Sequence, residues 1–135
     1  MKRSEPGDTS NSRPFQFTGR VRSVRHAIAG FARMIRCQHN AWIHAGVSLV
    51  VLAAALLLRI SRGDWCWIIL AISIVWTAEA LNTAVEFLAD AASPEFHPLI
   101  RDAKDVAAGA VLLTSIAAAI IGAIVFWPYA VQLFS

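Results

Sequence analysis

The run WCWIILAISIVWTAEALNTAVEFLAD, Trp65 to Asp90, decides how this chain is read. Trp65 to Ala78 carries no charge, and the apolar pattern continues to Leu88. Yet Glu79, Asn82, Glu86 and Asp90 interrupt it, where a lipid-facing helix should carry none of them. Two further stretches resemble its first half. Ala41 to Leu58 is uncharged up to Arg59, and Val106 to Phe134 has no charge at all. At 1.5 Å per residue each stretch gives a helix of roughly 27 Å or more, against a hydrocarbon core of about 30 Å. The chain therefore reads as an all-α membrane protein with three transmembrane helices, at about 41–59, 65–90 and 104–127. The composition agrees. Hydrophobic residues make up 57% of the 135 residues and charged ones only 16%, too few polar groups to clothe three such helices in water.

The flanks set the expected orientation. Eight of the twelve Lys and Arg precede the first span, from Lys2 to Arg36. Arg101 and Lys104 lie between the second and third spans, while only Arg59 and Arg62 lie between the first and second. With three spans, ten cations share one side, which the positive-inside rule makes cytoplasmic. About forty residues precede the first span, too many for the n-region of a signal peptide. A net charge of +3 distributed in this way is no nucleic-acid footprint. Cys37 and Cys66 fall at opposite faces of the bilayer, so no disulfide joins them.

Residues 1–19, rich in Ser, Pro, Gly, Asn and Thr, read as a disordered cytoplasmic tail, and residues 20–135 as a single membrane domain. Over 20–37, Val21, Val24, Ile28, Phe31 and Ile35 share one helical face, opposite Arg22, Arg25, His26, Arg33 and Arg36. Such a helix belongs at a membrane surface, with its arginines at lipid phosphates. Ser61 to Asp64 reads as a plain turn, and Ser93 to Asp105 as a polar cytoplasmic loop with two prolines. Trp65, Trp67, Trp127 and Tyr129 fit the outer aromatic belt.

At 100° per residue, Glu79, Asn82, Glu86 and Asp90 fall within about 80° of one another. Carboxylates in a helix centre cost roughly 2.5–3.5 kcal/mol each on insertion scales. They are either neutral by protonation or hold a cation, and carboxylate with amide oxygen suits a hard ion such as Mg²⁺. Lys104 and Asp105 open the third span at the same membrane face. Glu86, Asp90, Lys104 and Asp105 thus frame a candidate nucleotide–Mg²⁺ site, with Glu79 below it as a candidate base for a lipid hydroxyl. No Walker A motif or Gly-rich kinase loop is present. Residue chemistry alone leaves three readings open: phosphoryl transfer, ion pairing that seals the bundle, and an ion or proton pathway. His44, inside the first span, reads as a helix-packing or interfacial histidine.

The segments E-A-L-N-T-A-V-E-F-L-A-D (Glu79–Asp90), S-P-E-F-H-P-L (Ser93–Leu99) and A-K-D-V-A-A-G-A-V-L-L (Ala103–Leu113) resemble the prokaryotic diacylglycerol kinase family, which includes undecaprenol kinases. Ser23, Ala27 and Gly30, and Asn40, Ile43 and His44, extend the resemblance over about residues 20–127. It implies small homotrimeric membrane enzymes with an N-terminal surface helix, three transmembrane helices and active sites shared between subunits. It implies transfer of the γ-phosphate of ATP, with Mg²⁺, to a lipid hydroxyl of diacylglycerol or undecaprenol in the bacterial inner membrane. By the resemblance, Glu79 matches the catalytic base and Glu86 a metal ligand. Asn82, Asp90, Glu95, His97, Lys104 and Asp105 match positions around the nucleotide, with His26 near the adenosine. The family's second metal-ligating glutamate falls at Gln38, which costs the site one formal negative charge. An arginine expected before Ser23 falls at Gly19, beside Arg20. The departure at Gln38 also supports the alternative of a non-enzymatic membrane component, a small transporter or assembly subunit with a degenerate metal site.

Overall fold

A computed structural model of the chain describes residues 17–92 and 97–133. These form four helices: α1 (Phe17–Cys37), α2 (His39–Leu57), α3 (Arg62–Ala92) and α4 (Pro98–Leu133). No strand occurs among the described residues. The last three helices are long and apolar enough to cross a membrane. With 31 and 36 residues, α3 and α4 extend to about 46 and 54 Å, longer than the hydrocarbon core.

Most of the tail expected over 1–19 lies outside the described residues, but Phe17 to Gly19 belong to α1. Phe17 stands one helical repeat before Val21, so the apolar register starts earlier than the arginine pattern suggests. Val21, Val24 and Ile28 are exposed, as the apolar stripe of a surface helix requires in the absence of lipid. Both cysteines are free and exposed.

The two expected loops are shorter than the sequence reading made them. Ser93 to Glu95 and Phe96 fall outside the described residues, yet Pro98 to Asp105 is already helical. Proline at the first helical position loses no hydrogen bond, because that N–H has no intrahelical partner. The His97 carbonyl accepts from the Ile100 and Arg101 N–H groups at 3.1 and 3.2 Å. At its other end α4 continues through Pro128 to Leu133, beyond the expected end at 127.

The α2–α3 turn is a Schellman closure. Ile60 N–H donates to the Ala55 carbonyl and Arg59 N–H to that of Leu56, both at 3.3 Å. Arg59 takes the left-handed position with φ 50°, where glycine is the usual occupant. Ile60 and Ala55, the hydrophobic pair that accompanies this motif, are both buried in one cluster with Ile68 and Val125. Ser61 then caps α3. Its Oγ accepts from the Asp64 N–H at 3.2 Å and donates to Asp64 Oδ2 at 2.8 Å. The Ser61 N–H, which a longer acid would satisfy in a capping box, instead donates to Tyr129 Oη at 2.8 Å. Tyr129 in turn donates to Asp64 Oδ2 at 2.6 Å, so α4 completes the cap of α3. Tyr129→Phe deletes both bonds and leaves the ring in place. Its expected effect is a thermal midpoint in detergent lower by a few degrees. An unaltered midpoint would show that water replaces the hydroxyl without cost.

One stripe of α3 carries the bundle. Ile68, Ala71, Val75, Glu79, Asn82, Thr83 and Ala89 are its buried residues. From Ile68 to Asn82 the spacing of three and four is that of a single helical face, with Thr83 beside it and Ala89 two turns on from Asn82. The stripe is apolar as far as Val75 and polar from Glu79, so its chemistry changes part-way along a continuous surface.

Candidate active site

The polar half of the stripe begins at Glu79, which has 0% exposure. Neither carboxylate oxygen has a hydrogen-bond partner. The approaching cation-capable group is His44 of α2, whose Nε2 lies 3.7 Å from Glu79 Oε2. Burial without hydrogen bonds is the most costly setting for a carboxylate. One turn later Thr83 returns its hydroxyl to the Glu79 carbonyl at 2.9 Å, leaving the side chain unattended.

Seven residues from Glu79, about 10 Å along the axis, Glu86 is held between two amides. Its Oε1 accepts from Asn82 Nδ2 at 3.1 Å. Its Oε2 accepts from Gln38 Nε2. Gln38 is the single non-helical residue between α1 and α2, with φ −106° and ψ 119°. Its side chain makes no cap for α2 and reaches across to α3 instead. The joint is fixed by the buried neighbours Met34 and Ala41 and by the Gln38 N–H, which donates to the Met34 carbonyl at 2.9 Å. Asn82 Oδ1 is buried and has no partner.

Towards the α3–α4 connection the arrangement opens to solvent. Lys104 Nζ lies 2.6 Å from Asp90 Oδ1, and Arg101 Nε 3.7 Å from Asp105 Oδ2. The pairing of Lys104 with Asp90 is of the kind expected if ion pairs seal the bundle. Both pairs are largely exposed and worth little to stability. His97 is exposed at the start of α4, where it lines a groove of about 590 Å³ with Val85, Ala89 and Ile100. His26 is exposed on α1 and is not joined to Glu79 or Glu86 by the cluster's bonds. Glu95 lies outside the described residues. A larger groove of about 800 Å³ runs between α3 and α4, apolar except for Ser73, Thr77, Asn82, Asp102 and Thr114.

Residues 25–126 match the family model of prokaryotic diacylglycerol kinase. The chain belongs to the prokaryotic diacylglycerol kinase family. It is 36% identical over 107 residues to an undecaprenol kinase of Bacillus subtilis, covering 79% of this chain and 87% of that one. It is 38% identical over 107 residues to a diacylglycerol kinase of Synechocystis, covering 78% of this chain and 61% of that one. A diacylglycerol kinase of Pseudomonas aeruginosa shares 32% identity over 104 residues. As a member of the diacylglycerol kinase family the chain is a lipid kinase, which requires a phosphate donor.

The donor set of this diacylglycerol kinase family member fits a hard divalent cation. Among the described residues no three His, Cys, Asp or Glu side chains gather as a closed metal cage. Mg²⁺ rarely uses one. It is held by one or two carboxylates and by the phosphates of its substrate. Glu86 would supply the carboxylate, and rotation of the Gln38 amide would present its oxygen in place of its nitrogen. The unpartnered Asn82 Oδ1 beside them leaves an acceptor for a water of the ion's shell. The sequence reading left His44 out of the site. The signal available was its position, since an ionisable side chain inside a span usually faces the bundle interior and a partner.

Proposed function

We propose that this chain transfers the γ-phosphate of ATP, as its Mg²⁺ complex, to the hydroxyl of diacylglycerol or undecaprenol at the cytoplasmic face of the bacterial inner membrane. The observation that carries this reading is a pair of unlike carboxylates on one face of α3. Glu79 is enclosed and unpartnered, and Glu86 is held by amides beside the α1–α2 joint. An unpartnered buried carboxylate is poised to accept a proton, whereas an amide-framed one is poised to bind a cation.

In this mechanism Glu79 takes the proton from the lipid hydroxyl as its oxygen attacks the γ-phosphorus and the bond to the β-phosphate oxygen breaks. Glu86 and Gln38 would hold the divalent ion, which would supply neutralisation of phosphate charge. Asn82 fixes Glu86 through its 3.1 Å hydrogen bond. Lys104 exchanges Asp90 for a phosphate oxygen, a small step for an exposed pair. The resemblance supports nucleotide-binding roles for Asp105, Glu95, His97 and His26. The apolar groove between α3 and α4 supports an acceptor with a long hydrocarbon chain. The distribution of Lys and Arg supports an N-terminus in the cytoplasm. Residues 20–135 act as one domain, and the resemblance supports a homotrimer with shared sites.

The test is transfer of labelled γ-phosphate in mixed micelles, with diacylglycerol and undecaprenol offered separately and with EDTA as control. Mg²⁺-dependent labelling of one lipid is the expected result. Folded protein that labels neither lipid overturns the reading.

A further inference from the structure

We infer that His44 is the positioning residue for Glu79, holding the buried carboxylate in place. This deepens the proposed function and rests on Glu79 acting as the base. Three observations carry it. Glu79 is fully buried without a hydrogen bond, and His44 Nε2 stands 3.7 Å from its Oε2. The imidazole is itself fixed. Trp76 meets it edge-on, with ring centroids 6.5 Å apart. Trp76 is held in turn by donating Nε1–H to Ser48 Oγ at 3.1 Å and by Phe31 of α1 at 5.2 Å. Finally, His44 lines a cavity of about 300 Å³ between α2, α3 and α4, and no other residue lining that cavity titrates.

The electrostatic reasoning is direct. A cation beside a carboxylate in a low-dielectric site favours the charged form, and only a charged carboxylate can accept the hydroxyl proton. Histidine gains and loses its charge near neutral pH, so it supports the carboxylate without a permanent buried cation. The other groups facing the pair do not replace it. From α3 the next is Glu86, a like charge. From α4 the polar contribution to the cavity is Ser115, whose buried Oγ has no partner and no charge. From α1 it is Arg33, which is exposed and lines a separate groove beside Thr83.

His44→Gln and His44→Ala, purified as folded protein, are compared with wild type. The expected kcat falls by about tenfold to a hundredfold with the KM for the donor unchanged. The shape of the kcat/KM profile against pH changes. Added imidazole, for which the adjoining cavity has room, restores turnover in His44→Ala but not in Glu79→Gln. Unchanged kcat and an unchanged pH profile in His44→Gln overturn the inference. Side-chain ¹⁵N resonances of His44 in the wild type and in Glu79→Gln read the pair without recourse to activity. Different chemical shifts are expected, and coincident spectra overturn the pairing even if the His44 variants do not fold. The two readings separate cleanly: an active Glu79→Gln removes the base, whereas coincident spectra remove only His44's role.

Discussion

Glu79→Gln lowers turnover by about a thousandfold and leaves the fold intact. The amide has nearly the shape of the carboxylate but accepts no proton, and loss of a positioned base costs about 10²–10⁴ in rate. A thousandfold is about 4 kcal/mol of transition-state stabilisation. The fold is not expected to suffer, because Glu79 has no hydrogen bond to lose and a neutral amide is cheaper to bury than a bare carboxylate. The thermal midpoint should therefore hold or rise while kcat collapses. That opposite movement distinguishes a catalytic group from a structural one. Steady-state kinetics with labelled ATP, paired with a thermal scan in the same detergent, checks both. A variant within tenfold of wild-type turnover removes Glu79 as the base.

The second large effect concerns Mg²⁺. Glu86→Gln is expected to raise the half-saturating Mg²⁺ concentration by at least tenfold and to cut turnover at saturating ATP. It removes the one full charge in a donor set that otherwise consists of amides. Gln38→Glu moves the same quantity in the opposite direction. It restores a second carboxylate but replaces the amide that now donates to Glu86 with a like charge. Without the ion this variant is therefore less stable than wild type, and Mg²⁺ recovers the difference by binding only the folded state. Midpoints measured across a Mg²⁺ titration give both readings. Superimposable curves for wild type and both variants would exclude this pair as the metal site.

Much of this arrangement is visible in the sequence, for definable reasons. The three spans follow from uncharged length alone, and the shared face of Glu79, Asn82 and Glu86 follows from the helical period. The Asp90–Lys104 pairing could be anticipated because both flank the α3–α4 connection. Other features depend on how separate helices are rotated about their axes, which hydropathy does not encode. Gln38 and Glu86 are 48 positions apart and meet only because the α1–α2 joint lies against α3. His44 faces Glu79 rather than lipid for the same kind of reason. The helix ends were misjudged where capping chemistry was read as loop chemistry. Ser61 and Asp64 form the cap of α3, and Pro98 starts α4.

The Schellman closure, the Ser61–Asp64 cap and the Tyr129 hydroxyl all lie at one end of the molecule. Glu86 stands 24 residues from the start of α3, about 36 Å away. That distance is a lever arm. A tilt of about two degrees at the turn swings Glu86 through about 1 Å, a misplacement that can cost about a hundredfold in rate. A bundle tied only at its far end could not keep its reacting groups aligned. The contact from the α1–α2 joint to Glu86 is a second brace at the other end, beside the Lys104–Asp90 pair, and a ligand held between Gln38 and Glu86 would tighten it at the moment when alignment matters.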